Sequence, residues 1–241
     1  MDLGLRDRNA LVTAASKGLG RACAEALIAE GARVYIASRD PNAIEATGRA
    51  IGAAAWSATD VSKEGHPEEL VNAAVEKLGG LDILVVNAGG PPPGTFQSVP
   101  LEAWEKAIQL TLMSAVRLVH EALPHLKRSN QGRIVFIGSI SVRQPIPNLV
   151  LSNALRGAVT GLAKTLSREL ASDGITVNSL APDGILTDRI REVGVTPGSP
   201  MGRFGDPAEF AAACAFLCSR QAAYITGQTV GVDGGSLLGV H

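Results

Sequence analysis

The sequence predicts an α/β domain, doubly wound around a seven-stranded parallel sheet with helices on both faces. Three observations predict it. Short, nearly unbroken apolar runs alternate with helical stretches of ten residues or more. Strands covered on both faces read as continuous apolar runs, and parallel neighbours need a long crossover between them. The chain has 241 residues and shows no internal repeat, low-complexity tract or interdomain linker, so residues 1–241 suit one domain. Finally, the Gly- and Pro-rich pieces fall between the runs, at 89–96 and 191–207, and read as loops at the rim of such a sheet. In open parallel sheets the ligand crevice lies among those loops.

Taken in order, "NALVTA" (9–14) is a short apolar strand closed by small residues, and the helix after it stops at Gly31. "RVYIAS" (33–38) is a second strand with Tyr35 in the core, and Asp40-Pro41 opens the next helix. "AAAWSATD" and "LDILVVNAGG" are strands, separated by the helix "PEELVNAAVEKLGG" with acids early and glycine at its end. A long helix over 101–127 precedes the strand "GRIVFIGS", and a helix over 150–171 precedes "GITVNSLAP". "PAEFAAACAFLCS" is the last helix and "GQTVGVDGG" the closing strand.

Composition narrows the function. Apolar residues make up 46% and charged residues 19%, ordinary for a globular protein. With 22 basic and 23 acidic side chains, no strong field points to nucleic acid or a membrane surface. No uncharged apolar run approaches the ~18 residues of a bilayer span, and the first residues lack the apolar core of an export signal. Cys23, Cys214 and Cys218 make no disulfide framework. The latter two, four residues apart on an apolar helix, read as buried small hydrophobes rather than a metal pair. A reducing, cytoplasmic compartment is expected.

The first strand runs through "TAASKGLGR" (13–21) directly into a helix. Unpaired N–H groups at a helix N-terminus, with the helix dipole, attract phosphate, and Gly18 and Gly20 allow close backbone approach. This is the setting of a Rossmann-type dinucleotide fold. The end of the second strand is the discriminating detail. An acid there binds a ribose 2′-hydroxyl, whereas a cation accommodates a 2′-phosphate. Here stand Ser38 and Arg39, and Lys17 adds a cation on the glycine turn, so NADP(H) is preferred over NAD(H). Asp40 is open to two readings, a helix cap or a ribose ligand.

Together these residues resemble the short-chain dehydrogenase/reductase family, in a branch similar to β-ketoacyl-carrier-protein reductases. The likeness runs from about Asn9 to Gly235. The family's "TGxxxGxG" appears as Thr13 to Gly20, with Ala14 in place of its first glycine, and its "NNAG" as Val86 to Gly89. "VNxxxPGxxxT" appears in "VNSLAP" with Ile185 and Thr187, where Asp183 replaces the glycine. The resemblance implies coenzyme contacts at Thr13, Ser16, Lys17, Gly18, Leu19, Gly20, Ser38 and Arg39. It implies others at Asp60 and Val61, at Asn87, Ala88 and Gly89, and at Arg156, Pro182, Ile185 and Thr187.

The family's catalytic Ser, Tyr, Lys and Asn fall at Ser139, Ser152, Arg156 and Thr111, so one of the four roles keeps its usual residue. A phenol of pKa ~10 can be tuned toward working pH, but a serine hydroxyl is not an ordinary titrating group. Its oxygen also stops ~4 Å short of a tyrosine hydroxyl. Arg156 stays protonated, so it relays no proton but can stabilise a developing alkoxide. Catalytic roles are therefore assigned to Ser139, Ser152 and Arg156. Among substitute acids, Tyr224 reads as packing, and His120 and His125 as remote from the crevice. Asp183 is a loop-capping or catalytic carboxylate, and Ser141 shares the face of Ser139 if the strand alternates.

Three readings stay open: an NADPH-dependent reductase of carbonyl or 3-oxoacyl thioester substrates, an inactive coenzyme-binding sensor or structural partner, and a chain whose turn, altered at Ala14, binds no dinucleotide. The resemblance also implies a homodimer or homotetramer through the helices at 101–127 and 150–171.

Overall fold

The computed structural model describes residues 1–193 and 196–239. Its strands are β1 (Asn9–Thr13), β2 (Arg33–Ser38), β3 (Ala55–Ala58), β4 (Ile83–Val86), β5 (Arg133–Ile137), β6 (Thr176–Pro182) and β7 (Thr229–Val232). They form one sheet in the order β3-β2-β1-β4-β5-β6-β7, every neighbouring pair parallel. The chain winds outward from β1 to β3 and then returns to lay β4 on the other side of β1. The switch point therefore lies between β1 and β4, where the loops after the two strands part and leave a crevice.

The helices are α1 (Gly18–Ala29), α2 (Pro41–Ile51), α3 (His66–Leu78), α4 (Leu101–Ala107), α5 (Ser114–Leu126), α6 (Val150–Glu169), α7 (Asp188–Val193) and α8 (Pro207–Cys218). Strand alternation sorts the core into two layers. Leu11, Leu84, Phe136 and Val177 pack with Leu70, Leu118 and Val159 of α3, α5 and α6. Val12, Ile36, Val85 and Val135 pack with Leu27 and Phe210 of α1 and α8. Each such side chain contributes about 1.5–3 kcal/mol when removed from water. Cys23, Cys214 and Cys218 are free and buried in the second layer. Among the described residues no His, Cys, Asp and Glu group could hold a metal. No described helix is long and apolar enough to cross a membrane.

Local chemistry sets the helix ends. The Asp40 carboxylate accepts from the N–H groups of Asn42 and Ala43, at 2.9 and 3.0 Å, and Pro41 begins the helix. Asp40 is a cap. Asp206 and Glu209 form a reciprocal capping box at the start of α8.

Four expectations change. The helix expected over 101–127 is α4 and α5 joined by a π-turn at Ile108–Met113, which holds the buried Thr111. One additional residue per turn leaves no mark on apolar spacing this short. The helix expected to 171 ends at Glu169, followed by a 3₁₀ turn at Ala171–Asp173. The loop expected at 191–207 begins within α7, a six-residue helix opened by Asp188; positions 194 and 195 of that loop lie outside the described residues. Tyr224 is fully exposed instead of packed.

Candidate active site

The glycine turn is built from behind. Thr13 Oγ1 donates to the Asn87 carbonyl at 2.7 Å and accepts the Asn87 N–H at 2.9 Å, and Asn87 Nδ2 donates to the Ala14 carbonyl at 3.2 Å. These bonds staple the end of β1 to the end of β4. Ala14 has φ 48°, the left-handed region that favours glycine. The missing glycine has not collapsed the turn; alanine adopts the same conformation at a cost of ~1–2 kcal/mol. Gly20 has no such latitude, because a Cβ there would stand 2.5 Å from the Ala14 carbonyl oxygen and 2.8 Å from Asn87 Nδ2. Thr13 and Gly20 are buried and shape the turn from behind.

In front of the turn lies a crevice of about 1230 Å³. One end is lined by Ser16, Lys17, Gly18 and Leu19 of the turn, by Ser38 at the end of β2 and Arg39 beyond it, and by Asp60 and Val61 after β3. Lys17 and Arg39 are exposed, two cations converging from separate loops. Ser38 is buried, yet its Oγ has no hydrogen-bond partner among the described residues. Burial raises the Asp60 pKa, but hydrogen bonds from the Ser62 hydroxyl and backbone outweigh it. With the nearby Arg39 and Lys63 charges they hold the carboxyl below its ordinary value. A helix N-terminus, a close-approach turn, two cations and a buried hydroxyl without a partner fit a dinucleotide with a phosphorylated adenosine ribose.

The other end gathers Asn87, Ala88 and Gly89 after β4, Ser139 after β5, Ser152 and Arg156 of α6, Pro182 at the end of β6, and Ile185 and Thr187 beyond it. Ser139 caps a 3₁₀ turn at Ile140–Val142, its Oγ accepting the Ser141 N–H at 3.1 Å. That bond occupies an oxygen lone pair and leaves the hydroxyl proton for donation into the crevice. Ser141 does not share this face. The strand ends at Ile137, alternation stops, and Ser141 is buried. Arg156 Nη1 donates to the carbonyls of Ile137 at 2.8 Å and Gly138 at 3.2 Å. Behind it a cavity of about 20 Å³, the size of one water, is lined by Thr111, Thr160 and Ser179. The Thr111 and Ser179 hydroxyls are buried with no hydrogen-bond partner among the described residues. His120 and His125 lie outside the crevice.

A family model described as enoyl-(acyl carrier protein) reductase matches residues 13–236. The chain belongs to the short-chain dehydrogenase/reductase family. A curated family member, the 3-oxoacyl-[acyl-carrier-protein] reductase FabG of Vibrio cholerae, is 35% identical over 98% of this chain and 100% of its own. L-sorbose reductase of Gluconobacter frateurii, solved with NADPH and L-sorbose, superposes with a TM-score of 0.94 at 30% identity, covering 100% of both chains. A short-chain oxidoreductase of Pseudomonas aeruginosa, NADPH-bound and described as containing an atypical catalytic center, gives 0.89 at 32% identity over 96% of each chain.

The far end offers a hydroxyl donor at Ser139, a second hydroxyl at Ser152 and the guanidinium of Arg156, and no tyrosine lines it among the described residues. Sequence reasoning missed Leu110, Leu149 and Ile190, which also line this end. Ile190 lies on the unexpected α7 and Leu110 in the π-turn. Leu149, beside Ser152, needed only the register of α6.

Proposed function

We propose that the protein is an NADPH-dependent reductase of carbonyl compounds, 3-oxoacyl thioesters among them. One observation carries the reading: the Ser139 hydroxyl, with one of its two lone pairs taken by the Ser141 N–H, stands in the same crevice as the Lys17–Arg39 pair. NADPH-bound relatives of matching fold support the same coenzyme here. The glycine turn and α1 N-terminus would hold the pyrophosphate, with Lys17, Ser38 and Arg39 on the 2′-phosphate.

When bound, the coenzyme supplies a hydride, with both bonding electrons, to the carbonyl carbon. Ser139 donates a hydrogen bond to the substrate oxygen and orients it. The negative charge arising there is stabilised by the field of Arg156. The proton comes from a water held by Ser139 and Ser152, since neither serine nor guanidinium is an ordinary titrating group. Loss of a positioned acid typically costs 10²–10⁴ in rate, so turnover is slow. A cytoplasmic protein, assembled as a homodimer or homotetramer, belongs to the same proposal.

The test is single-turnover oxidation of NADPH across a carbonyl panel that includes 3-oxoacyl thioesters. Consumption above that of Ser139→Ala is expected. The absent phenol favours a second reading, an inactive coenzyme-binding protein that senses coenzyme or supports an active partner. NADPH bound without turnover, and activity gained by the Ser152→Tyr, Arg156→Lys double variant, would establish that reading instead.

A further inference from the structure

Four aspartates line the crevice, and three are committed. Asp40 caps α2, Asp60 accepts from the Ser62 hydroxyl and N–H, and Asp188 pairs with Arg191 at 3.1 Å. Asp183 is different. It is half-buried just beyond β6 and is held by its backbone, whose N–H donates to the Val232 carbonyl at 3.2 Å. Its carboxylate has no hydrogen bond or ion pair among the described residues. Because β5 and β6 run side by side, with the Gly138 N–H on the Leu180 carbonyl at 2.7 Å, Ser139 and Asp183 leave neighbouring strand ends. The uncommitted charge is therefore at the end of the crevice that carries Ser139, Ser152 and Arg156.

We propose that Asp183 is a positioning charge that favours the oxidised over the reduced coenzyme at this end. The inference rests on the coenzyme reading above. A nicotinamide is positively charged when oxidised and neutral when reduced, so a fixed anion beside it discriminates between the two by about tenfold in a half-buried site. Arg156 has the opposite sign, but its Nη1 faces two carbonyl oxygens whose negative ends offset it; among the described residues the Asp183 carboxylate has no such counterweight. In the reduction, the ring C–H bond breaks and its electron pair forms a C–H bond at the carbonyl carbon. The ring is oxidised by two electrons, the carbonyl is reduced, and water protonates the oxygen. Positive charge arises on the ring while negative charge arises on the substrate. Ser139 and Arg156 address the second, and Asp183 addresses the first. Easier departure of the hydride partly compensates for the missing phenol.

The experiment titrates wild type, Asp183→Asn and Asp183→Glu with NADP+, NADPH and adenosine 2′,5′-bisphosphate by calorimetry at pH 7.5. The bisphosphate reports the adenosine end alone. Asp183→Asn is expected to weaken NADP+ about tenfold relative to NADPH, equivalent to a rise of about 30 mV in the potential of the bound couple. Asp183→Glu keeps the wild-type ratio, and all three proteins bind the bisphosphate alike. A ratio within twofold of wild type in Asp183→Asn, or an equal shift in Asp183→Glu, overturns the inference and leaves the coenzyme reading intact. Failure of wild type to bind any of the three ligands removes that reading and the inference with it. If Asp183→Asn does not bind the bisphosphate, Asp183→Gly replaces it under the same criteria.

Discussion

Arg156 donates to the Ile137 carbonyl at 2.8 Å, clamping α6 onto the end of β5 two residues before Ser139. The same Nη1 reaches Gly138, so one side chain sets the position of the loop that carries the candidate hydroxyl. Replacing it with methionine keeps the apolar stem and removes the donors. Arg156→Met is expected to lose about 1–3 kcal/mol of stability, read from urea unfolding, because the part-buried carbonyls lose their donor. Arg156→Lys should lose less, since an ammonium retains the charge but lacks the planar fork. Equal stability of all three proteins would refute the clamp.

Gly20→Ala places a methyl group 2.5 Å from the Ala14 carbonyl oxygen, where backbone rather than a flexible side chain must yield. The turn opens and the close-approach surface is lost. NADPH affinity should fall at least tenfold by calorimetry, about 1.4 kcal/mol. A dissociation constant within twofold of wild type contradicts this geometry.

Ala14 sits at φ 48°, where an L side chain is strained. Ala14→Gly removes ~1–2 kcal/mol of strain and adds about 0.5–1 kcal/mol of unfolded-state entropy. A net gain of about 0.5–1 kcal/mol is expected, visible as a higher Tm. A lower Tm would mean that the alanine methyl makes packing contacts worth more than the strain.

Lys17 and Arg39 act on a phosphate through exposed, screened charge. Lys17→Ala and Arg39→Ala should each weaken NADPH binding about tenfold at low salt and leave NADH within twofold, with the difference shrinking as salt is raised. Equal weakening of both coenzymes would remove the basis for the 2′-phosphate assignment.

Glu209 is held down to about 2 by hydrogen bonds from Arg203, then from the Asp206 N–H, then by the Arg203 charge. A carboxyl whose pKa falls on folding contributes stability above its unfolded value, and that contribution disappears as pH drops through the folded one. Thermal unfolding followed from pH 5 to pH 2 should show this decline in wild type and a shallower one in Glu209→Gln. Parallel curves would count against the box.

Much of the fold was legible because its signals are local. Apolar runs such as "ILVV" could only be strands covered on both sides, and Asp40-Pro41 and the glycine after α3 mark helix ends whatever they pack against. The meeting of Lys17, Ser38 and Arg39 in one crevice was legible for the same reason, since they lie at strand ends that the topology brings to one rim. The π-turn was invisible, because an inserted residue in a helix alters register without altering composition. Ser141 was misassigned because the strand gives way to a 3₁₀ turn immediately after Gly138.

By itself the sequence determined the strand–helix alternation, the glycine turn, the cations beside it and the presence of Ser152 and Arg156 where the family resemblance implies a phenol and an ammonium, all properties of residue type and short-range spacing. Only the tertiary structure decided that Ala14 tolerates a glycine conformation, that Arg156 donates to the carbonyls of Ile137 and Gly138, and that Asp183, alone among the crevice aspartates, has a carboxylate with no partner among the described residues. Those outcomes depend on which groups distant in sequence meet within hydrogen-bond distance, and that is settled by packing of the two helical layers on the sheet.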